Sequence, residues 1–331
     1  MIILLAAATL GPKDYVVQPY YTYPADQPYH AEYVRAINNA TLEIQAWFKK
    51  QAGITFRLAP LRIKKGEDYL TMRAGINPSE QDRKDKTRLP LWWEAQERTV
   101  GGWKDKTVSW IFAQGGGGVA LGNLINRWAG IAMFGDWTLE PISGIREPLA
   151  ITADMATWEV QGGVPMGTTA HELGHAFGIH HPDNYPGKSI MRWHGDYPDK
   201  TSLLPHEIMI LHYSPFFVKN AFDENGPWLN FENPDAMKWG ETVSLQGKGF
   251  KIGDRIEFRT IPVEAFDKAA KEGFKKYERV NVAVARFNSP TELRVAIPRN
   301  LGPGFIRVLR GSKTRSNIVP VNFYPATSSG S

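Results

Sequence analysis

Hydrophobic positions change period several times along the chain, and each change predicts an element. From His30 to Gln51, residues Tyr33, Ile37, Ile44, Trp47 and Phe48 recur at helical spacing. Gly53 follows as the natural stop. Ile54, Phe56 and Leu58 then alternate with Thr55 and Arg57, which opens a predicted strand running to Ile63. Residues 78–88 are charged and polar and read as an exposed loop, and Leu91 to Val100 reads as a short helix. Val108 to Phe112 is a compact apolar run, predicted as an inner strand, and it leads into Gly115 to Gly118. Those four glycines lack the Lys-Ser/Thr of a phosphate-binding loop, so they predict a close backbone approach or a mobile loop. Gly130 to Trp137 and Leu149 to Thr152 are two more predicted strands. Val164 to Ile179 and Leu203 to Val218 read as helices. Strands first and helices after them predict an α/β or α+β domain.

The pattern shortens from about Trp228 to Tyr324. Thr242 to Gln246, Arg255 to Arg259, Val280 to Arg286, Glu292 to Ile297 and Phe305 to Leu309 are short alternating segments. Turn signals at Lys248-Gly249, Asn288 to Pro290 and Gly302 to Gly304 separate them, which is the pattern of a β-sandwich. Val263 to Tyr277, rich in Ala and Lys, reads as an inserted helix. The break falls at Asn225-Gly226-Pro227. The predicted organisation is a first domain over 11–225, a sandwich over 227–325 and a disordered tail over 326–331. The opening run Met1 to Leu10 has two readings, the remnant of a signal peptide or a first strand. No later run approaches the roughly 18 apolar residues that a membrane span needs.

Composition narrows the chemistry. The 331 residues are 42% hydrophobic and 22% charged, as in a globular protein, and contain no cysteine. Disulfides, thiolate metal sites and cysteine nucleophiles are therefore excluded. The net charge of +5 is unevenly spread. Residues 227–331 hold 17 Lys and Arg against 10 Asp and Glu, so the basicity belongs to the C-terminal third. A solvated mixed-charge surface is one reading of it, and attachment to a glycan or an anionic cell-surface polymer is the other. No nucleic-acid motif is present.

Five of the eight histidines fall between residues 171 and 194. His171-Glu-Leu-Gly-His175-Ala-Phe-Gly178-Ile-His-His181 carries the decisive spacing. On a helix, positions 171 and 175 lie one turn apart and about 40° apart around the axis, so both imidazoles can reach one ion. Glu172 stands about 100° round from His171, placed to reach a water without ligating the metal. Gly178 permits the left-handed turn that ends the helix and returns the chain, delivering His181 rather than His180. Three neutral nitrogens leave a fourth position open, the arrangement of a catalytic Zn2+ with Glu172 as general base. His180 is read as a neighbour of the site or an exposed group. His194 is read as a surface residue, and His206 and His212 as structural residues of the closing helix.

His-Glu-x-x-His-x-x-Gly-x-x-His resembles the signature of the metzincin clan of zinc endopeptidases. That resemblance implies a catalytic domain with a twisted mixed sheet and long helices, with a Met-containing turn beneath the metal. Ser189-Ile-Met191 stands where such a turn falls, and Met191 would form the apolar floor. The resemblance also implies an antiparallel edge strand that pairs with extended substrate, for which Gly130, Ile131, Ala132, Met133 and Phe134 are the candidates. Tyr185 or Tyr197 would be the transition-state stabiliser. Two departures stand out: Trp193 lies two residues after the Met, where some members have Tyr, and Pro182 follows the third His, where some have Asp. Gly240 to Phe250, Ser289 to Val295 and Gly302 to Gly304 are similar to IPT/TIG domains, immunoglobulin-like sandwiches used as spacers or binding modules.

The expectation is a monomeric, secreted or cell-surface zinc endopeptidase acting on protein or peptide, with one catalytic ion. The alternative is a catalytically silent zinc-binding adhesion protein whose immunoglobulin-like domain carries the function. Hydrolysis of a non-peptide amide or ester would use the same zinc chemistry.

Overall fold

The computed structural model describes residues 11, 13–69, 91–116, 120–125, 128–145, 164–182 and 185–325. The expectations for Met1 to Leu10, for the 78–88 loop, for a strand over Leu149 to Thr152 and for the 326–331 tail lie outside these residues. The chain is a mixed α/β protein with several sheets, and it divides into two compact units. One comprises residues 13–177 and 193–202, the other residues 178–192 and those from 203 on. Residues 178–192 and the closing helix group with the C-terminal sheets.

The first unit is built on a five-stranded sheet in the order β2-β1-β3-β5-β4. Its strands are β1 (Val16–Tyr23), β2 (Arg62–Lys65), β3 (Thr107–Ala113), β4 (Ala120–Ile125) and β5 (Ala129–Phe134). All neighbours are parallel except β4, which runs antiparallel to β5. Residues alternate between the two faces, as the pleat requires. Tyr20, Ile111, Ile131 and Met133 pack with Val100 and Trp103, at the end of helix α2 (Leu91–Val100). The opposite face carries Tyr21, Phe112 and Phe134, and Tyr21 meets Tyr33 of helix α1 (Ala31–Ala52) at 5.8 Å. α1 ends at Gly53, which is left-handed with φ 71°. Phe48 and Phe56 then meet Phe177 at 5.8 and 5.2 Å, which ties α1 to helix α4 (Val164–Ala176). A short helix α3 (Asp136–Ser143) follows β5 directly, so Trp137 is helical rather than part of the predicted strand.

Two strand expectations are corrected. Ile54 to Ile63 is not a strand; it touches β1 through a single bridge between Val17 and Leu58, and pairing begins only at Arg62. Gly130 to Phe134 is not an edge. β5 lies between β3 and β4 and is wholly buried, and among the described residues β4 forms the open antiparallel edge.

The second unit holds helix α5 (Pro205–Tyr213) and two sheets. The larger orders β10 (Arg279–Val284), β9 (Arg255–Thr260), β13 (Gly304–Arg310), β15 (Val319–Tyr324) and β7 (Ala236–Lys238), with β14 (Thr314–Arg315) beside β13. The smaller orders β11 (Arg286–Ser289), β12 (Glu292–Ala296), β8 (Thr242–Lys248) and β6 (Trp228–Leu229). Leu245, Leu293 and Val295 of the smaller sheet share one core with Ile256, Phe258, Ile306, Val308, Val321 and Phe323 of the larger. The predicted insertion is real: helix α6 (Phe266–Glu272) sits between β9 and β10, flanked by short 3-10 turns. Its Phe266 stacks on His206 of α5 at 5.4 Å. At the other end of α5 the Tyr213 hydroxyl accepts a hydrogen bond from Arg259 of β9, and its ring meets Phe305 of β13 at 4.9 Å.

Candidate metal centre

Helix α4 lies backbone-close on the sheet because two strand residues facing it have no side chain. A Cβ at Gly122 of β4 would stand 2.8 Å from the Cβ of His175 and overlap the Glu172 carbonyl. One at Gly130 of β5 would overlap the Ala176 carbonyl. Gly167, within α4 itself, gives the same freedom on another side, where a Cβ would strike the His194 carbonyl. The three glycines fix the depth at which the helix sits, and with it the height of the side chains it presents.

His171 is buried and His175 half-buried on this helix, and their Nε2 atoms stand 3.1 Å apart. Gly178, with φ 88°, ends the helix as the spacing predicts. His181 beyond it is solvent-exposed. One ring nitrogen from each of His171, His175 and His181 lies within 4.8 Å of the other two, the only such cluster among the described residues. His180 is outside it.

The donor set fits a divalent cation. Two facing imidazole nitrogens at 3.1 Å oppose their lone pairs unless a proton or a cation lies between them. Tetrahedral zinc with bonds of about 2.0–2.1 Å would set two such nitrogens roughly 3.3 Å apart. The group could therefore hold a metal ion with little movement of the first two ligands.

Glu172 is half-buried, and burial raises its carboxyl to about 7 although the Gly122 backbone amide bonds to it. Met191 is fully buried at the third position of a turn closed by the Arg192 N–H on the Ser189 carbonyl, 3.1 Å. The Ser189 hydroxyl accepts the Met191 N–H at 2.9 Å and donates to Glu207 Oε1 at 2.7 Å. Glu207 Oε2 accepts the Leu204 N–H at 2.7 Å, capping α5. Burial pushes the Glu207 carboxyl up to about 8, against the lowering effect of its two hydrogen bonds and of Arg192.

The two tyrosines occupy different surroundings. Tyr197 donates its hydroxyl to Glu43 of α1 at 3.1 Å and packs its ring on Trp47 at 5.8 Å, and burial raises its phenol. Tyr185 packs between His206 and Phe266, at 5.6 and 5.9 Å. His206 is buried and its imidazole is held down to about 3 by burial; His212 packs on Phe274 at 4.9 Å. His206 is a core residue, and His212 is half-buried.

Sequence reasoning missed three neighbours of the motif. His194, expected on the surface, is buried, stacked on Trp193 and 5.1 Å from the His171 ring. Glu207 had a legible signal, a Glu two residues after the Pro that opens a helix, the position from which a carboxylate caps backward. Asn322 of β15, whose amide donates to the His181 carbonyl at 3.3 Å, had none, being 141 residues away.

Among the described residues no helix is long and apolar enough to cross a membrane. No family model matches the chain, and no curated protein matches it. Solved structures of OgpA from Akkermansia muciniphila are similar along most of the length. The wild type in one crystal form is 14% identical over 92% of this chain and 91% of that one, with a TM-score of 0.39. In a second form it is 13% identical over 91% and 88%, with a TM-score of 0.43. A catalytically inactive OgpA, in complex with an O-glycopeptide substrate (glycodrosocin), is 14% identical over 92% and 90%, with a TM-score of 0.42. The likeness is weak at these scores, and the reading of the site rests on its own residues.

Proposed function

We propose that this chain is a zinc-dependent endopeptidase, with His171, His175 and His181 as ligands and Glu172 as general base. The observation that carries the reading is the convergence of the three imidazole nitrogens beside a half-buried carboxylate one residue from the first ligand. Zinc bound there supplies Lewis acidity toward a water and toward a substrate carbonyl. Glu172 takes the proton of the attacking water and returns it to the leaving nitrogen. A carboxyl raised by burial suits both halves of that relay.

On this reading the N-terminal part, about residues 11–225, is a metzincin-like catalytic domain with Met191 beneath the ligands. The two sheets after it form an immunoglobulin-like, IPT/TIG-type sandwich. Extended substrate would pair with the open edge of β4, replacing the Gly130–Phe134 assignment, because β5 has both neighbours already. The substrate is protein or peptide, and the setting is extracellular, where a basic C-terminal third would hold the enzyme near anionic or glycosylated polymers.

Chelation followed by zinc titration tests the proposal. One equivalent should restore casein cleavage, and Glu172→Ala should keep the ion and lose the cleavage. A chain that holds one zinc yet leaves casein intact would instead be a zinc-holding binding protein.

A further inference from the structure

The third ligand is the one the metal helix does not control. His181 lies beyond Gly178 in a stretch that, among the described residues up to Arg192, contains no helix and no strand longer than a single bridge. Its side chain is exposed. Any part of a ligand that the ion must order on binding costs affinity.

Its main chain, however, is held. The Asn322 side-chain amide donates to the His181 carbonyl at 3.3 Å. Asn322 is itself firmly placed. β15 runs between β13 and β7, and the Asn322 N–H donates to the Asp235 carbonyl at 2.7 Å. The strand reads Val319-Pro-Val-Asn-Phe-Tyr324, and Val319, Val321 and Phe323 point into the sandwich core. By the alternation of a strand, Asn322 therefore points out of the opposite face. An amide only 9% exposed in an otherwise apolar strand is costly unless it is paired. The His181 carbonyl is the partner its side chain finds. Turning the amide over would set its oxygen against that carbonyl, so the geometry admits one orientation.

The far end of the same segment is held within the same compact unit. Glu207 of α5 grips the Ser189 hydroxyl, which in turn accepts the Met191 N–H. α5 is anchored on β9 and β13 through Tyr213. Between these points the segment braces itself: Tyr185 N–H donates to the Pro182 carbonyl at 3.1 Å, and Arg192 Nη2 donates to the Tyr185 carbonyl at 2.6 Å.

We propose that Asn322 is a positioning residue for the metal centre. It fixes the backbone of His181 and so makes the C-terminal sheets part of the ligand-holding framework. This rests on the reading of His171, His175 and His181 as a metal site. It gives a part in holding the ligands to a region that the sequence resemblance reads as a spacer or binding module.

The test is metal affinity and coordination in the full-length chain, read with Zn2+ competition and with the visible absorption of bound Co2+. Asn322→Ala should weaken both metals about tenfold or more, as loss of a ligand-orienting partner does, and alter the Co2+ spectrum. Asn322→Leu, close in volume but without a donor, carries the same expectation should the alanine variant fail to fold. Asn233→Ala is the control. It removes a buried amide that bonds the Asn230 and Gln246 carbonyls rather than that of His181. It should lower the melting temperature and leave the affinity and spectrum unchanged. Asn322 variants that bind Co2+ and Zn2+ as wild type does overturn this proposal alone. So does an equal weakening in Asn233→Ala, which would make the effect one of general stability. A wild-type chain that binds neither metal overturns the metal-site reading as well.

Discussion

Gly122 of β4 and Glu172 of α4 meet in two ways. The Gly122 amide bonds to the Glu172 carboxylate, and the missing side chain at 122 leaves room for the Glu172 main-chain carbonyl. One strand residue thus bears both on the depth of the helix, together with Gly130, and on the surroundings of the carboxylate proposed as base. Burial and this one amide act in opposite directions on that carboxyl, and burial prevails.

Gly122→Ala should therefore cost more than an ordinary strand substitution. The obstacle is backbone, so α4 must move, and overpacking of this kind costs about 1–3 kcal/mol. Urea denaturation measures the stability loss. Zinc affinity should fall with it, since His171 and His175 travel on the same helix. An alanine variant as stable as wild type would mean that the helix does not rest on β4 as described.

Glu172→Gln separates binding from chemistry. The amide is close to isosteric and retains an acceptor for the Gly122 amide, but it cannot take a proton. Bound zinc should stay at one per chain while kcat/KM for peptide cleavage drops at least about 100-fold. Parallel loss of metal and activity would assign Glu172 a structural role instead.

Glu207→Ala should release the methionine turn. It strips the acceptor from two buried donors, the Ser189 hydroxyl and the Leu204 N–H, at a cost of about 1–3 kcal/mol for each group left unsatisfied. Thermal unfolding gives the stability change. Hydrogen exchange at the Met191 amide reads the turn itself and should speed up beyond what the global loss explains. An unchanged exchange rate there would show that the turn stands without Glu207.

His206 makes stability fall on the acid side. Its imidazole is held neutral to about 3 in the folded chain, against about 6.5 when unfolded. Between those values the unfolded chain binds more protons, so this stabilisation is present above about 6.5 and lost as pH falls toward 3. Glu207 has the opposite slope. Raised to about 8, it favours the folded state fully below its unfolded value and loses that contribution as pH rises through 8. His206→Leu should flatten the decline of melting temperature below pH 6.5 relative to wild type. Matching curves would place His206 in contact with solvent.

Much of the site was legible in the sequence because its chemistry is local. The helix carrying His171 and His175, the left-handed Gly178 and the choice of His181 over His180 all follow from spacing within eleven residues. The short alternating strands of the C-terminal half were legible for the same reason. β1 was not: its buried run includes Pro19 and two tyrosines and shows no alternation, since a parallel strand with both faces covered has none to show. Strand order was also hidden, because periodicity says which face a residue takes and nothing about which strand lies beside it. The absence of any charged residue in Ala129–Phe134 was the available hint that this strand is central. Asn322 and His181 are joined only by the fold, and no local pattern announces such a pair.

Cleavage mapping by mass spectrometry, on a peptide library with O-glycosylated members and a chain holding one zinc, tests the central claim most directly. Internal peptide bonds should be cut by the zinc-loaded chain, and neither by the chelated chain nor by Glu172→Gln. An intact library after incubation with wild type at full zinc occupancy would contradict it.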